Sequence, residues 1–409
     1  MFRKIPFWSG FVAALLAGSV SVFAQVRVQG TAGAKWSVSA QEFVPGGGAL
    51  SRLAVDIVKL DLQRSGWTAL APQQAASVQL SGRPAEGAGG VAIPLKATDA
   101  GGNVVFQRTY TAQASAGAVV REAHRAADEF VTALTKKKTF LQARLACLKR
   151  DGTMKTVQVG DSAMRAVSAI RQPGAQSRQE TCVRPRWSYD NRKITFTAFL
   201  RRFPDVYAWE AATGSITALA QYPGMNTGGA ISPDGRSMAV ILSKDGNPDL
   251  YVKDLASGQL RRLTNTRGVS EGSPGWSPDG QQIVYVSDAS RTPQLYVISR
   301  NGGQPRQLTS GAHSASPDWG SNGLIAYQTQ QGRNFQIAVI DPNTRQSRVV
   351  TPFDASYEDP SWAPDGRHIA AARVQNYQSD IALIDTAAGG DPPTLLTSGG
   401  IWSSPAWTH

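Results

Sequence analysis

The sequence has few of the side chains from which catalytic and metal centres are usually built. Its 409 residues include four histidines, and no two of them lie at the spacing of a metal-binding pair. These are His124, His313, His368 and His409. A run of three glycines at 46–48 is not followed by the Lys-Ser/Thr of a phosphate-binding loop. We therefore expect neither a metal ion nor another cofactor.

Long apolar runs are also missing after the first 24 residues. That first segment carries Arg3 and Lys4, then an apolar run that ends in small residues at Ala24, which is typical of a secretory signal. We predict a signal peptide at residues 1–24 and an exported mature protein that does not span a membrane. No cysteine lies at the cleavage site, so we expect no lipid anchor there.

Basic residues outnumber acidic ones but are dispersed. Removing the two cations of the signal peptide leaves 40 basic and 30 acidic residues, a net charge of +10. Only Lys136-Lys137-Lys138 forms a run. We expect this run to mark a helix end, where cations favourably oppose the helix dipole. Export argues against nucleic acid as a partner.

The second half of the chain repeats itself from about residue 186 to the end. A tryptophan two places after a proline recurs at steps of 44, 45, 43, 43 and 45 residues, with isoleucine in one copy. The equivalent positions are Trp187, Ile231, Trp276, Trp319, Trp362 and Trp407. Three copies continue into Ser/Ala-Pro-Asp-Gly. This tetrapeptide favours a tight hairpin, because proline presets the first corner and glycine takes the left-handed position.

Short strand-like runs follow each turn, for example at 238–241, 250–252 and 263–264. Four short strands in a period of about 40–50 residues are typical of a β-propeller blade. An ordinary β-sandwich fits evenly spaced copies poorly. The sequence therefore predicts an all-β, six-bladed β-propeller over residues 140–409.

The last repeat is incomplete, because the sequence stops two residues after Trp407. Strand-like runs at 145–148 and 156–159, and a degenerate strand before Arg184, lie upstream of the first full repeat. We predict that the last strand joins these runs in one blade. This pairing would close the ring and remove the open sheet edge.

Residues 25–139 have a different pattern. Apolar residues recur at helical spacing in the segments 54–63 and 118–134. Strand-like runs lie between these segments at 77–80, 91–97 and 104–110. The pattern predicts a small mixed α/β domain before the propeller.

Two cysteines, Cys147 and Cys182, fall in the predicted first blade. The exported compartment is oxidising, so a disulfide between them is one interpretation. The other is a buried, free Cys147 with Cys182 at the rim. The sequence leaves both open.

Loops that enter the innermost strands line one mouth of a propeller channel. Their positions lie five and six residues before each tryptophan position, and their Met, Tyr and Trp side chains suit a protein partner. The predicted partner-binding residues are Met225, Asn226, Ser270, Glu271, His313, Ser314, Tyr357, Glu358 and Trp402. We expect Tyr357 and Trp402 to be energetic anchors.

One motif, Gly268-Val269-Ser270-Glu271-Gly272, matches the G-x-S-x-G pattern of a nucleophile elbow. That pattern works only on a strand-to-helix turn of an α/β-hydrolase sheet, whereas here it precedes a propeller strand. We therefore expect a binding protein that is not an enzyme. The alternative is a propeller lyase or hydrolase that acts on an anionic glycan or peptide, with His313, Glu271 and Glu358 near one rim.

With both halves in view, the chain resembles the TolB family of the Tol–Pal envelope system. The segment 231–280 is similar to the family's propeller repeat. Residues 61–67, DLQRSGW, resemble its helix-to-strand junction, and residues 123–129, AHRAADE, resemble its last N-terminal helix. The resemblance implies a periplasmic, monomeric scaffold that binds the peptidoglycan-associated lipoprotein Pal at a propeller mouth and supports outer-membrane integrity and cell division.

The resemblance also implies a contact with TolA through acidic residues of a short mature N-terminal segment. Here that segment, residues 25–30, reads QVRVQG and contains no carboxylate. Whether this chain keeps the TolA contact stays open.

Overall fold

The computed structural model describes residues 35–170, 182–200, 202–387 and 391–409. The predicted signal peptide and the segment 25–34 therefore lie outside the described residues. Within the part of the chain that is described, no helix is long and apolar enough to cross a membrane.

The N-terminal region contains two helices packed on one mixed sheet. The helices are α1 (Ala49–Arg64) and α2 (Ala116–Thr135), with a 3₁₀ turn at Gln73–Ala75. The strands are β1 (Trp36–Phe43), β2 (Thr68–Leu70), β3 (Val78–Gly82), β4 (Ala85–Gly87), β5 (Gly90–Asp99) and β6 (Val104–Ala112). Their order is β2-β1-β3-β5-β4, and β6 also pairs with β5. The predicted α/β character is confirmed.

Amphipathic patterning explains how both helices pack. On α1 the apolar residues Ala54, Ile57, Val58 and Leu62 are fully buried, and on α2 the stripe continues through Phe130. The Ser115 side chain caps α2 by accepting a hydrogen bond from the Ala118 amide, which satisfies one of the unpaired amides at the helix start. α1 begins five residues and α2 two residues before the predicted segment, and each ends one residue after it.

The rest of the chain forms a β-propeller of antiparallel sheets. Three strands come first: β7 (Arg144–Asp151), β8 (Met154–Asp161) and β9 (Ser168–Ala169). The next sheet holds β10 (Cys182–Trp187), β11 (Lys193–Ala198), β12 (Asp205–Glu210) and β13 (Ile216–Ala220). It is followed by β14 (Asn226–Ile231), β15 (Ser237–Leu242), β16 (Asp249–Asp254) and β17 (Leu260–Arg262).

Two further sheets repeat this arrangement. One holds β18 (Glu271–Trp276), β19 (Gln282–Ser287), β20 (Gln294–Ser299) and β21 (Arg306–Gln307), and the other holds β22 (Ser314–Trp319), β23 (Ile325–Gln331), β24 (Asn334–Ile340) and β25 (Ser347–Val349). The last strands are β26 (Ser356–Trp362), β27 (His368–Gln375), β28 (Gln378–Asp385), β29 (Thr394–Leu395) and β30 (Ile401–Trp407).

The last five strands and β7–β9 together form an eight-stranded sheet. Strand β30 pairs antiparallel with β7, so that Trp407 lies opposite Leu145 and Ile401 opposite Arg150. The predicted pairing of the C-terminal strand with the run at 145–148 is thus confirmed. Since β9 supplies the third strand, Cys182 does not belong to this group and begins the next sheet instead.

The Pro-Asp-Gly turns have the geometry that the sequence predicts. In the turn at 232–235 the Gly235 amide donates to the Ser232 carbonyl at 2.8 Å, and the Arg236 amide donates to the Asp234 carboxylate at 3.0 Å. Gly235 has a φ of 71°, which a residue with a Cβ atom rarely adopts. Each such turn joins the first strand of a repeat to its second strand.

A bulge interrupts the first strand of every repeat. The register shifts three residues before the tryptophan position, where the backbone is left-handed. The six bulge residues are Arg184, Gly228, Ser273, Ser316, Asp359 and Ser404, with φ between 48° and 70°. A bulge adds one residue to a strand and therefore changes which side chains share a face.

Candidate functional site

One face of the propeller brings the predicted partner-binding positions together. The first residue of each first strand lies opposite the last residue of the second strand, as Asn226 does with Leu242 and Glu271 with Ser287. The hairpins between second and third strands therefore lie at the same edge. We call the surface formed by these hairpins and by the loops that precede each first strand the entry face.

Backbone hydrogen bonds between neighbouring sheets fix the entry face. At three positions the first amide of a first strand donates to a proline carbonyl in the preceding sheet's hairpin. The pairs are Asn226 to Pro204 at 3.0 Å, Glu271 to Pro248 at 2.8 Å and Ser314 to Pro293 at 2.9 Å. These three bonds tie three of the hairpins to the first strand of the next sheet.

The predicted anchors Tyr357 and Trp402 are not available on this surface, so that prediction is wrong. Tyr357 is fully buried, and its hydroxyl donates to Asp354 at 3.0 Å. Trp402 is 6% exposed and packs under the Lys149 ammonium, 5.0 Å from the ring centroid. Both residues already belong to strands, β26 and β30, instead of to the loops before them.

The bulge explains why these two side chains turn inward. Regular alternation would point residues five apart to opposite faces of a strand. The extra residue at Asp359 places Tyr357 and Trp362 in the same core cluster, and the bulge at Ser404 does the same for Trp402 and Trp407. They stabilise the packing between strands instead of binding a partner.

Two of the predicted polar residues are also structural. The side chain of Asn226 is fully buried and donates to the carbonyl oxygens of Tyr222 at 2.8 Å and Gly224 at 3.1 Å, which holds the loop before β14. Ser314 is 2% exposed, and its hydroxyl donates to the Ala312 carbonyl at 3.1 Å. Neither side chain can contact a partner without a rearrangement of its loop.

Glu271 is a buried carboxyl group at the edge of the entry face. It is 7% exposed, and its Oε2 atom has no hydrogen-bond partner among the described atoms. Burial, assisted by the nearby carboxylates of Asp249 and Asp288, raises the pKa of Glu271 to about 7. Burial and Asp359 likewise raise the pKa of the partly buried Glu358. Both groups therefore favour the neutral form more than an exposed glutamate does.

The remaining predicted residues do reach solvent. Ser270 is exposed, whereas Met225 and His313 are partly exposed. The His313 ring packs edge-on against Phe335, with 5.3 Å between the ring centroids. The Met225 amide donates to the Ser243 hydroxyl at 2.8 Å, so its loop is anchored to the adjoining hairpin. With Glu358, these residues form the part of the predicted site that the structure leaves accessible.

The sequence reasoning missed four exposed aromatic side chains on the entry face. Phe199 and Phe203 lie in the hairpin between β11 and β12, Phe353 lies in the loop before β26, and Tyr377 lies at the tip between β27 and β28. Their exposed fractions are 46%, 50%, 68% and 96%. Large aromatic residues in hairpins and loops, where polar turn residues are usual, are the sequence signal that could have found them.

The centre of the propeller is closed by its own side chains. The Arg186 guanidinium donates to Asp318 and to the Pro317 carbonyl, each at 3.1 Å. Nearby, the rings of Tyr189 and His409 stack with their centroids 3.9 Å apart. The spaces that remain here measure about 40 and 30 Å³, far below the volume of about 300 Å³ or more of a typical ligand site. A glycan or peptide would not fit in either of these two spaces.

The bulge residues form further hydrogen bonds between the sheets at the centre of the propeller. Arg184 donates to the Ser273 hydroxyl, while the Ser316 and Ser404 hydroxyls both donate to the Asp359 carboxylate at 2.8 Å. Among the described residues, no group of three or more His, Cys, Asp and Glu side chains is arranged to hold a metal ion. The G-x-S-x-G serine lies on the exposed loop before β18, away from a strand-to-helix turn.

The cysteines lie on different sheets. Cys147 is on β7 and Cys182 begins β10, and the two belong to different core clusters. Cys147 is a free thiol whose pKa is raised by burial, which keeps it protonated. The structure therefore does not support the candidate disulfide and agrees with the other interpretation, since Cys147 is buried and Cys182, the first residue of β10, lies at the edge of its sheet, where it is 3% exposed.

Comparison with known proteins agrees with this architecture. Residues 131–409 match the family described as "TolB beta propeller domain". The chain belongs to the TolB family. It is 33% identical over 350 residues to the "Tol-Pal system protein TolB" of Gluconobacter oxydans, which covers 82% of this chain and 75% of the relative. The TolB protein of Francisella tularensis is 27% identical over 225 residues, 54% of this chain and 42% of the relative.

Solved TolB structures share the fold. The crystal structure of TolB from Acinetobacter baumannii has a TM-score of 0.79 at 22% identity and covers 92% of this chain and 97% of its own. A putative TolB from Agrobacterium tumefaciens has a TM-score of 0.51 at 17% identity and covers 64% of this chain and 91% of its own. As a TolB family member, the chain is a non-enzymatic protein.

Proposed function

We propose that this chain is the periplasmic scaffold of a Tol–Pal system. In this function it binds a peptidoglycan-associated lipoprotein at the entry face and thereby supports outer-membrane integrity and cell division. Family membership and the names of the curated relatives support the Tol–Pal assignment. The predicted signal peptide at residues 1–24 supports a periplasmic location.

The four exposed aromatic residues of the entry face carry the proposal. Soluble proteins rarely leave several large apolar side chains exposed on one surface without a use for them. Aromatic residues are also enriched among the anchors of protein interfaces. We therefore assign the contact to Phe199, Phe203, Phe353 and Tyr377, with Met225, Ser270, His313 and Glu358 beside them. The buried Asn226, Glu271, Ser314, Tyr357 and Trp402 support the surface from below.

We further propose that the propeller has six blades and that its ring spans residues 140–409, after an α/β domain at 25–139. Six left-handed bulges, one in each first strand, support six blades. The eight-stranded sheet supports them too, because only the single residue pair Ser379–Ile401 joins β28 to β30. Without that pair it divides into two four-stranded units like the other four sheets.

The TolA contact through residues 25–30 stays a prediction, because that segment lies outside the described residues and has no carboxylate. We expect the isolated protein to be a monomer, which its elution and light scattering would test.

A double substitution tests the proposed lipoprotein contact. Replacing Phe353 and Tyr377 by serine removes the two most exposed aromatic side chains without opening a cavity. If they are anchors, the Kd for the soluble domain of the cognate lipoprotein rises by about 30-fold, which is about 2 kcal/mol. Isothermal titration calorimetry measures the Kd, and the Tm should hardly change.

The matched control replaces Val104 and Val105 by serine. These residues are 52% and 42% exposed and lie on β6 in the N-terminal region, away from the entry face. The control should bind the lipoprotein like the native chain. An unchanged Kd in the Phe353/Tyr377 variant, or an equal loss in the control, would move the site away from the entry face.

A further inference from the structure

A second concave surface lies outside the entry face, between the end of α2 and the propeller. It has a volume of about 960 Å³, and its propeller wall includes Pro364 and His409. Pro364 belongs to a turn between a first and a second strand, so this wall is at the sheet edge opposite the entry face. We call this surface the basic cleft because Lys136, Lys137 and Lys138 line it.

The lysines are held in place by well-packed neighbours. Lys136 ends α2 in the left-handed conformation, with a φ of 57°, and its amide donates to the Thr132 carbonyl. After the third lysine, the Thr139 hydroxyl donates to Asp128, and Phe140 is fully buried. The backbone of the run is therefore fixed at both ends, while the three side chains are exposed.

Charges in the basic cleft are not balanced. Four cations, the three lysines and Arg108, face two carboxylates, Asp128 and Glu129. Glu129 accepts from the Arg108 guanidinium at 2.6 Å and from the Tyr110 hydroxyl at 2.7 Å. Asp128 accepts from Thr139 and from the Gln142 amide. Among the described residues, none of the lysines forms an ion pair, so all three are available to a ligand.

The helix end alone does not account for this run. A cation is favourable at a helix C-terminus, but the effect falls off beyond the last turn. Lys136 satisfies that role, whereas Lys137 and Lys138 lie past the cap. Three adjacent exposed ammonium groups repel one another unless an anion lies between them. The run therefore has more positive charge than the helix requires.

We propose that the basic cleft binds an extended acidic polypeptide segment. Lysine ammonium groups are strongly hydrated point charges, and the one guanidinium in the cleft, Arg108, is already paired with Glu129. An extended chain places carboxylates at the lysine tips and small apolar side chains along Phe106, Ala133 and Pro364.

A labelled peptide of alternating glutamate and alanine residues tests the site in the full chain at low ionic strength. Replacing the three lysines by glutamine should weaken binding by about tenfold in fluorescence anisotropy, because exposed ion pairs contribute modestly and add up. The Phe353/Tyr377 variant should bind this peptide normally, which separates the proposal from the lipoprotein contact.

The control removes the same charge elsewhere, by replacing the exposed residues Lys96, Arg121 and Arg236 with glutamine. It should change the affinity by less than about twofold. Equal weakening in both triple variants would mean attraction to net charge alone and would overturn the proposal. Stronger competition by inorganic phosphate than by chloride at equal ionic strength would also overturn it, because the ligand would then be a phosphate group.

Discussion

The replacement of Glu271 by glutamine should make the stability of the protein less dependent on pH. Glu271 is 7% exposed at the start of β18, and burial together with Asp249 and Asp288 raises its pKa to about 7. The unfolded chain exposes this carboxyl group and returns its pKa to 4.5. Between pH 4.5 and about 7, the carboxyl group is therefore protonated in the folded state and ionised in the unfolded state.

The sign and magnitude follow from this difference. Because the pKa of Glu271 is raised in the folded state, its contribution to the free energy of unfolding is fully present below pH 4.5 and is lost as the pH rises to about 7. The two pKa values correspond to a total loss of about 3 kcal/mol in the free energy of unfolding. Glutamine has nearly the same shape and stays neutral. The variant should therefore match the native chain at low pH and exceed its stability by about 3 kcal/mol above pH 7.

Urea unfolding followed by tryptophan fluorescence measures this difference across the pH range. Subtracting the two curves of unfolding free energy against pH cancels the contributions of all titrating groups that both proteins share. Replacing the exposed Glu42 by glutamine is the matched control and should give a flat difference. A stability difference between Glu271→Gln and native chain that is constant with pH would refute the buried, protonated Glu271.

Two further predictions concern the junctions of the fold. Burial lowers the pKa of His124, but the Asp61 and Asp161 carboxylates outweigh this effect and raise the pKa above 6.5. The protonated His124 forms ion pairs that join α2 to α1 and to β8. The stabilisation from these ion pairs is therefore fully present below pH 6.5 and is lost as the pH rises through the raised pKa. Asp161→Asn should lower the midpoint of the His124 imidazole titration in NMR spectra, and an unchanged midpoint would exclude the pairing. Truncation after Ser403 removes Trp407, which is 2% exposed and lies on the strand that pairs with β7. The loss of this one buried tryptophan should lower the free energy of unfolding by about 3–5 kcal/mol, and thermal unfolding measures the change. A truncated chain that melts like the full chain would refute closure by β30.

The repeated turns made the propeller predictable from sequence. The spacing of the tryptophan positions and the Pro-Asp-Gly turns predicted short antiparallel strands, and the incomplete last repeat predicted the pairing of β30 with β7. Strand β1, which alternates Trp36, Val38 and Ala40 with polar residues, was missed, whereas its parallel partner β2 spans only three residues and gives no clear alternation. Long-range pairing of so short a strand depends on tertiary packing.

The candidate site was harder to predict for a physical reason. Side-chain direction in a strand depends on counting residues, and the bulge at each first strand changes that count by one. Tyr357 and Trp402 were expected in loops at the surface, but both lie within strands β26 and β30, and the bulges turn their side chains into the core. The left-handed residue before a proline, as at Ser273-Pro274 and Asp359-Pro360, is visible only once the backbone angles are known. The exposed Phe353 and Tyr377 lie in loops of the repeats, at positions where the other copies carry no aromatic pattern, and so gave no periodic signal.

Binding at the entry face can be tested most directly by amide hydrogen exchange of the full chain with and without the soluble domain of its lipoprotein. We predict protection in the hairpins at residues 202–204 and 376–377 and in the loop at residues 352–355, which contain the proposed contacts Phe203, Tyr377 and Phe353 on the entry face. The turns 232–235, 277–280 and 363–366 on the opposite face should exchange at unchanged rates. Protection of these turns with no change in the hairpins would contradict lipoprotein binding at the entry face.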